Sequence, residues 1–206
     1  MTPWLKENIE RIYKDANDEK NLTIIDELIQ LTIQYPRAPM LKNYLSVAYS
    51  IRGNAEQAAH ANEWMLKEHP DYLYGIVNKV NLYFAEGKYD DGYALLGEQL
   101  EIRELFPHRK LFHVTEVISY YATAVKYLVH IGNLDAAIER WNIIKDFDSA
   151  SYEIIYSGKL ISDALNEEEK SKPKSKFQKQ LEKRLFPAVN KPLKKKPISN
   201  SEVYKS

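Results

Sequence analysis

The sequence predicts an all-α fold of about four stacked helical hairpins, followed by a capping helix and a basic tail. Three observations carry that expectation. Glycine and proline are scarce, 7 and 9 among 206 residues, too few for the many tight turns of a sandwich or barrel. Apolar residues recur at helical spacing instead of alternating. A glycine-centred pattern also returns at a fixed interval, the mark of a chain built from like units.

The elements follow in order along a domain spanning residues 1–169. Trp4 to Tyr13 and Leu22 to Ile33 read as a weak first hairpin over 3–35, in which Glu19 stands where a turn glycine is expected and Ile24 where a small residue is. Terminal units of repeat proteins are commonly atypical in this way. The second hairpin, about 38–70, is the clearest: an apolar stripe ends at Tyr49, Arg52-Gly53-Asn54 breaks it, a second helical pattern runs through Ala58, Trp64 and Met65, and His69-Pro70 stops it. Gly87 lies 34 residues after Gly53, with Tyr83 in the place of Tyr49 and Gly92 in that of Ala58, which places a third hairpin at about 72–104. Gly132 follows Gly87 by 45 residues, with Leu128, Ala137 and Trp141 in matching places, and marks a fourth at about 108–149. The 11 extra residues, around Phe106 to Val114, are expected to lengthen the helices of this last pair, with Pro107 at the break. Ile154, Ile155, Leu160, Ile161 and Leu165 then outline a capping helix over 151–166.

The repeated spacing has a mechanical cause. Glycine closes the first helix of each pair because it takes positive φ without a Cβ clash, and the small residue five positions later lets the second helix approach the first. Tyr49, Tyr83, Leu96 and Trp141 then fall at helical spacing on the packing faces and are expected in the core. For Trp141, truncation to alanine should on that basis cost about 3–5 kcal/mol.

On Tyr49, Gly53, Ala58 and Pro70, on Tyr83, Gly87 and Gly92, and on Gly132, Ala137 and Trp141, the segment from about 38 to 150 resembles the tetratricopeptide repeat (TPR), a family of 34-residue helical hairpins that stack into a superhelix. The family's tryptophan slot holds Lys42, Ile76 and Tyr121, and its helix-A glycine slot holds Ser46, Val80 and Val125, so the array is a divergent one. The resemblance implies a TPR-like α-solenoid whose concave face, lined by the first helices, binds a protein partner. The residues it places there include Asn43, Val47, Tyr74, Asn78, Asn81, Thr123, Lys126 and His130. Asn78 and Asn81 stand three apart, so their amides can hydrogen-bond both the N–H and the C=O of an extended peptide. Replacing both with alanine is expected to weaken partner capture while leaving the melting temperature nearly unchanged.

The charge is divided. Residues 170–206 hold 12 Lys+Arg against 2 Glu, and residues 1–169 hold 17 against 27 Asp+Glu, a tail of +10 beside a body of −10. One more amphipathic helix is expected at 173–186, then disorder from Pro187, where Pro, Lys and Ser cannot offset chain entropy by burial. Lys191, Lys194, Lys195 and Lys196 give the tail an electrostatic capacity for phosphates or anionic lipid.

No cysteine is present, which removes thiol nucleophiles and Cys-ligated metal sites. His108 and His113 stand five apart, about 500° around a helix, and make poor co-ligands for one metal. His60 and His130 have no second histidine at helical spacing. Phosphate loops, dinucleotide fingerprints and nucleophile elbows are all missing. The expectation is a cytoplasmic, non-enzymatic interaction protein without cofactor or metal, a scaffold, adaptor or chaperone holding a partner peptide or helix. Nucleic-acid or anionic-surface binding through the lysine-rich tail is the alternative.

Overall fold

The computed structural model describes residues 2–148 and 150–171, and the described residues form ten helices and no strand. The first compact unit, Met1–Leu165, holds α1 (Pro3–Ala16), α2 (Ile24–Gln34), α3 (Pro39–Ile51), α4 (Ala55–Glu68), α5 (Leu73–Ala85), α6 (Tyr89–Leu96), α7 (Ile102–Leu105), α8 (Val114–His130), α9 (Leu134–Ile144) and the start of α10 (Tyr152–Ser171). The second unit, Asn166–Ser206, is described only over the rest of α10. The helix expected at 173–186, the disorder expected beyond it, and Lys191, Lys194, Lys195 and Lys196 all lie outside the described residues. No described helix is long and apolar enough to cross a membrane.

Three helix pairs share one hinge. Gly53, Gly87 and Gly132 close α3, α5 and α8 with φ of 77°, 75° and 75°. At each, the next residue's N–H donates back to the carbonyl five positions earlier: Asn54 to Tyr49 at 3.0 Å, Lys88 to Tyr83 at 2.8 Å, Asn133 to Leu128 at 2.9 Å. This bond satisfies a carbonyl that the ending helix would leave unpaired. Space is not the constraint there, because a Cβ on any of the three would meet nothing within 4 Å; the left-handed backbone alone requires glycine. Gly92 is the opposite case. Its φ is ordinary, but a Cβ would overlap the Phe84 ring, so the small residue there permits α6 to lie on α5. Ala58 and Ala137 occupy the same place in the other pairs and are buried. Ser46, in the family's glycine slot, donates its hydroxyl to the Ala58 carbonyl at 2.8 Å and so joins α3 to α4 by a hydrogen bond.

Each pair packs on the next, α2 on α3, α4 on α5 and α5 on α8. Most buried apolar residues fall into one cluster from Leu5 to Ala61 or another from Leu73 to Ile161. Asn62, wholly buried on α4, crosses toward α5 by donating to the Gly75 carbonyl at 3.0 Å.

The first hairpin turns without glycine. Arg52, beside the hinge of α3, reaches back to the loop between α1 and α2 and donates to the carbonyls of Asp18 at 2.5 Å and Asn21 at 2.7 Å, while also holding Ala48 at 2.6 Å. One guanidinium thus ties three carbonyls of the loop and of α3 together, Asp18 also accepting from the Asn21 N–H within the loop.

The expected lengthening of the last hairpin is only partly met. The first helix, α8, has 17 residues against 13 in α3 and α5, but α9 has 11. Gly97, with φ of 83°, stops α6 after eight residues, and the inserted chain becomes the short α7 and a loop over 106–113. That loop is held by Arg109, whose guanidinium stands 4.4 Å from the Phe112 ring and pairs bidentately with the buried Glu116 at 2.7 and 3.1 Å.

The expected core positions separate by degree. Leu96 is fully buried, whereas Tyr49, Tyr83 and Trp141 are half-buried. Trp141 packs against Gly158 of α10 and its indole N–H donates to the Ile154 carbonyl at 3.1 Å. With part of the ring in water, Trp141→Ala is expected to cost about 2 kcal/mol, below the range for a fully enclosed indole. Chemical denaturation measures it, and a cost under about 0.5 kcal/mol would show that the ring does not secure α10.

Candidate functional site

The first helices of the pairs are joined on one face by hydrogen bonds through asparagine side chains. Asn78 of α5 donates to Asn43 of α3 at 2.9 Å. Lys126 of α8 donates to Asn81 of α5 at 2.8 Å, and the Asn81 amide donates to Val77 one turn back at 2.9 Å. Burial lowers the Lys126 pKa, opposed in part by Glu153, and its ammonium lies 5.8 Å from the centre of the Tyr156 ring.

Asn81 is therefore engaged on both sides, accepting from an ammonium and donating to its own helix. Asn81→Ala would leave a half-buried cation without its acceptor, so the near-neutral effect on melting expected from the sequence is revised to a loss of about 1–2 kcal/mol. Thermal unfolding of the single variants checks this, with Asn78→Ala the milder of the two.

Toward the N-terminal ends of the same helices lies a cavity of about 490 Å³. Asn43 and Tyr74 line it, and so do Tyr13, Tyr44, Tyr72 and Thr115. Tyr13 and Tyr44 meet at a centroid distance of 5.4 Å and 59°, Tyr72 and Tyr74 at 5.7 Å and 51°. Desolvation by burial raises the pKa of Tyr44, Tyr72 and Tyr74, so all three remain neutral phenols near neutral pH. Tyr74 shares a hydrogen bond with Thr115, whose hydroxyl also pairs with His113 Nδ1 at 2.7 Å. Ile118, Ser119, Asp148, Ser151 and Glu153 complete the wall, with the Ser151 hydroxyl donating to Glu153 at 2.9 Å.

The residues expected on the binding face are thus divided. Asn43 and Tyr74 reach the cavity, and Asn78, Asn81 and Lys126 form the amide links beside it. Val47 is half-buried one turn along α3. Thr123 is corrected: it is 2% exposed and its hydroxyl donates to the Ser119 carbonyl at 2.8 Å, which withdraws it from any ligand. His130 stands at the other end of α8, where it stacks on Tyr89 at 3.4 Å. His113 is the N-cap of α8, with Nδ1 accepting from the Thr115 N–H at 3.3 Å.

Tyr13, Tyr44, Tyr72, Asp148 and Glu153 were not anticipated. Tyr44 follows Asn43 and Tyr72 precedes Tyr74 by two, so a concentration of tyrosine near the expected face was a usable signal. For Asp148 and Glu153 there was none, since they reach the wall only through the turn into α10. Comparison with family models, with curated proteins and with solved structures finds no match to this chain.

Proposed function

We propose that this protein is a non-enzymatic protein–protein interaction module, a TPR-like α-solenoid acting as a scaffold, adaptor or chaperone that takes a partner's peptide or helix along the face of α3, α5 and α8. One observation carries the reading: the 490 Å³ cavity opens among the first helices of successive pairs, where Asn43 and Tyr74 were expected to meet a partner. Its volume falls in the range of pre-formed ligand sites. The repeated hinge supports the solenoid, because like pairs that each pack on the next present equivalent positions along one side. A cytoplasmic location fits this role.

The test is photo-crosslinking in the native cell with p-benzoylphenylalanine in place of Tyr74, a substitution that keeps an aromatic ring in the wall, and with the same group in place of the exposed Glu139 on α9. A discrete adduct from position 74 that is absent from position 139 is expected. Equal labelling from both, or none from position 74, would reject the face.

A further inference from the structure

The cavity wall has a chemical bias. Four phenol rings contribute to it, in two tilted pairs, Tyr13 with Tyr44 and Tyr72 with Tyr74. Aromatic faces attract cations and repel anions. Asp148 and Glu153 stand on the same wall, both exposed, and no Lys or Arg belongs to it among the described residues.

Two features oppose a cation. Tyr72, Thr115 and Ser151 bring the N-termini of α5, α8 and α10 to the cavity, each worth about half a positive charge. The two carboxylates outweigh these three ends only slightly, so it is the rings that decide the preference. Lys126 also acts on Glu153 and keeps its charge while donating to the neutral Asn81 amide, so the charges about the wall nearly cancel and the choice falls to the rings. At longer range the full chain is neutral, its body of −10 offset by a tail of +10, so selection rests on the wall itself.

We propose that the cavity receives a lysine side chain from an extended segment of a partner protein, its methylene stem between the tyrosine rings and its ammonium toward Asp148 and Glu153. This rests on the interaction-module reading and names what that module selects. A lysine suits the wall because its stem is apolar and its head charged, matching rings beside carboxylates.

The experiment uses the full chain with 13C-labelled tyrosine rings, titrated with a Gly-Ser heptapeptide bearing one central lysine and followed by NMR. Parallel titrations replace the lysine with norleucine or glutamate, or use tetramethylammonium chloride as a free cation. The lysine peptide is expected to shift the Tyr13, Tyr44, Tyr72 and Tyr74 signals saturably, at least tenfold more tightly than the norleucine peptide. Added salt and the double neutralisation D148N/E153Q, which keeps the acceptors for Ala150 and Ser151, should each weaken it several-fold, the variant's melting temperature staying near that of the native chain. Equal affinity for norleucine, or preference for glutamate, overturns the choice of a cation but leaves the interaction face in place. Equal affinity for tetramethylammonium overturns the peptide source. If the lysine peptide moves none of the four rings while position 74 still crosslinks a partner, the lysine proposal fails alone; loss of the crosslink as well removes the face itself.

Discussion

Tyr120→Ala is expected to lower unfolding stability by about 3–5 kcal/mol, among the largest effects of any single truncation in the chain. Tyr120 is fully buried on α8, lies edge-on to Tyr121 at 5.2 Å and 85°, and donates its hydroxyl to the Leu96 carbonyl at 2.7 Å. Leu96 is the last residue of α6, which Gly97 stops abruptly, so its carbonyl has no helical partner to come. Tyr120 therefore fills the core and pairs the end of a shortened helix. The control separates these roles. Tyr120→Phe keeps the volume and removes only the hydroxyl, and should cost about 1–2 kcal/mol. Urea unfolding followed by helical circular dichroism measures both; an alanine variant losing less than about 1.5 kcal/mol would mean that α6, α7 and α8 do not enclose this ring.

Lys42→Ala is the second large effect, at about 3 kcal/mol, whereas Lys42→Met should stay within about 1.5 kcal/mol. The Lys42 side chain is 0% exposed on α3, yet its ammonium donates to the Pro36 carbonyl at 3.0 Å and to Glu68 at 2.9 Å, beneath the Trp64 ring at 4.8 Å. Methionine restores most of the stem's volume, and the carboxylate of Glu68, 40% exposed, can return to water. Alanine leaves a hole in place of the stem.

The pair also sets a pH response. Hydrogen bonds from Lys42 and then from Trp64 hold the Glu68 pKa below its ordinary value. A lowered carboxylate pKa stabilises the fold above the unfolded value near 4.3, and that contribution disappears as pH falls through the folded value. Lys42→Met should therefore flatten the acid limb of the stability profile below about pH 4.3, and an unchanged limb would show that the contact contributes nothing to it.

What could be read from the sequence depended on how far each cause reaches along the chain. The hinges at Gly53, Gly87 and Gly132 were legible because a positive φ is a demand on one residue, and the small residues five places on share the same hairpin. That Asn43 and Tyr74 would share a face was implied by the resemblance to the repeat family, and both line the cavity. The support of the first hairpin's turn was not legible, since Arg52 reaches it from more than 30 residues away. Thr123 was misplaced for a related reason: α8 has neighbours on several sides, among them α5, α6, α7 and α9, and a polar residue on it can be enclosed while bonding its own backbone.

By itself, then, the sequence determined an all-helical chain with glycine-hinged pairs, because dihedral preference and helical period are local properties. Tertiary structure alone decided that Asn81 and Lys126 are bound to one another, that Lys42 is buried as an ion pair, and that four tyrosines and two carboxylates from four segments share one cavity. Those outcomes depend on which helices lie side by side and how far the loops between them reach, and no short window of residues contains that information.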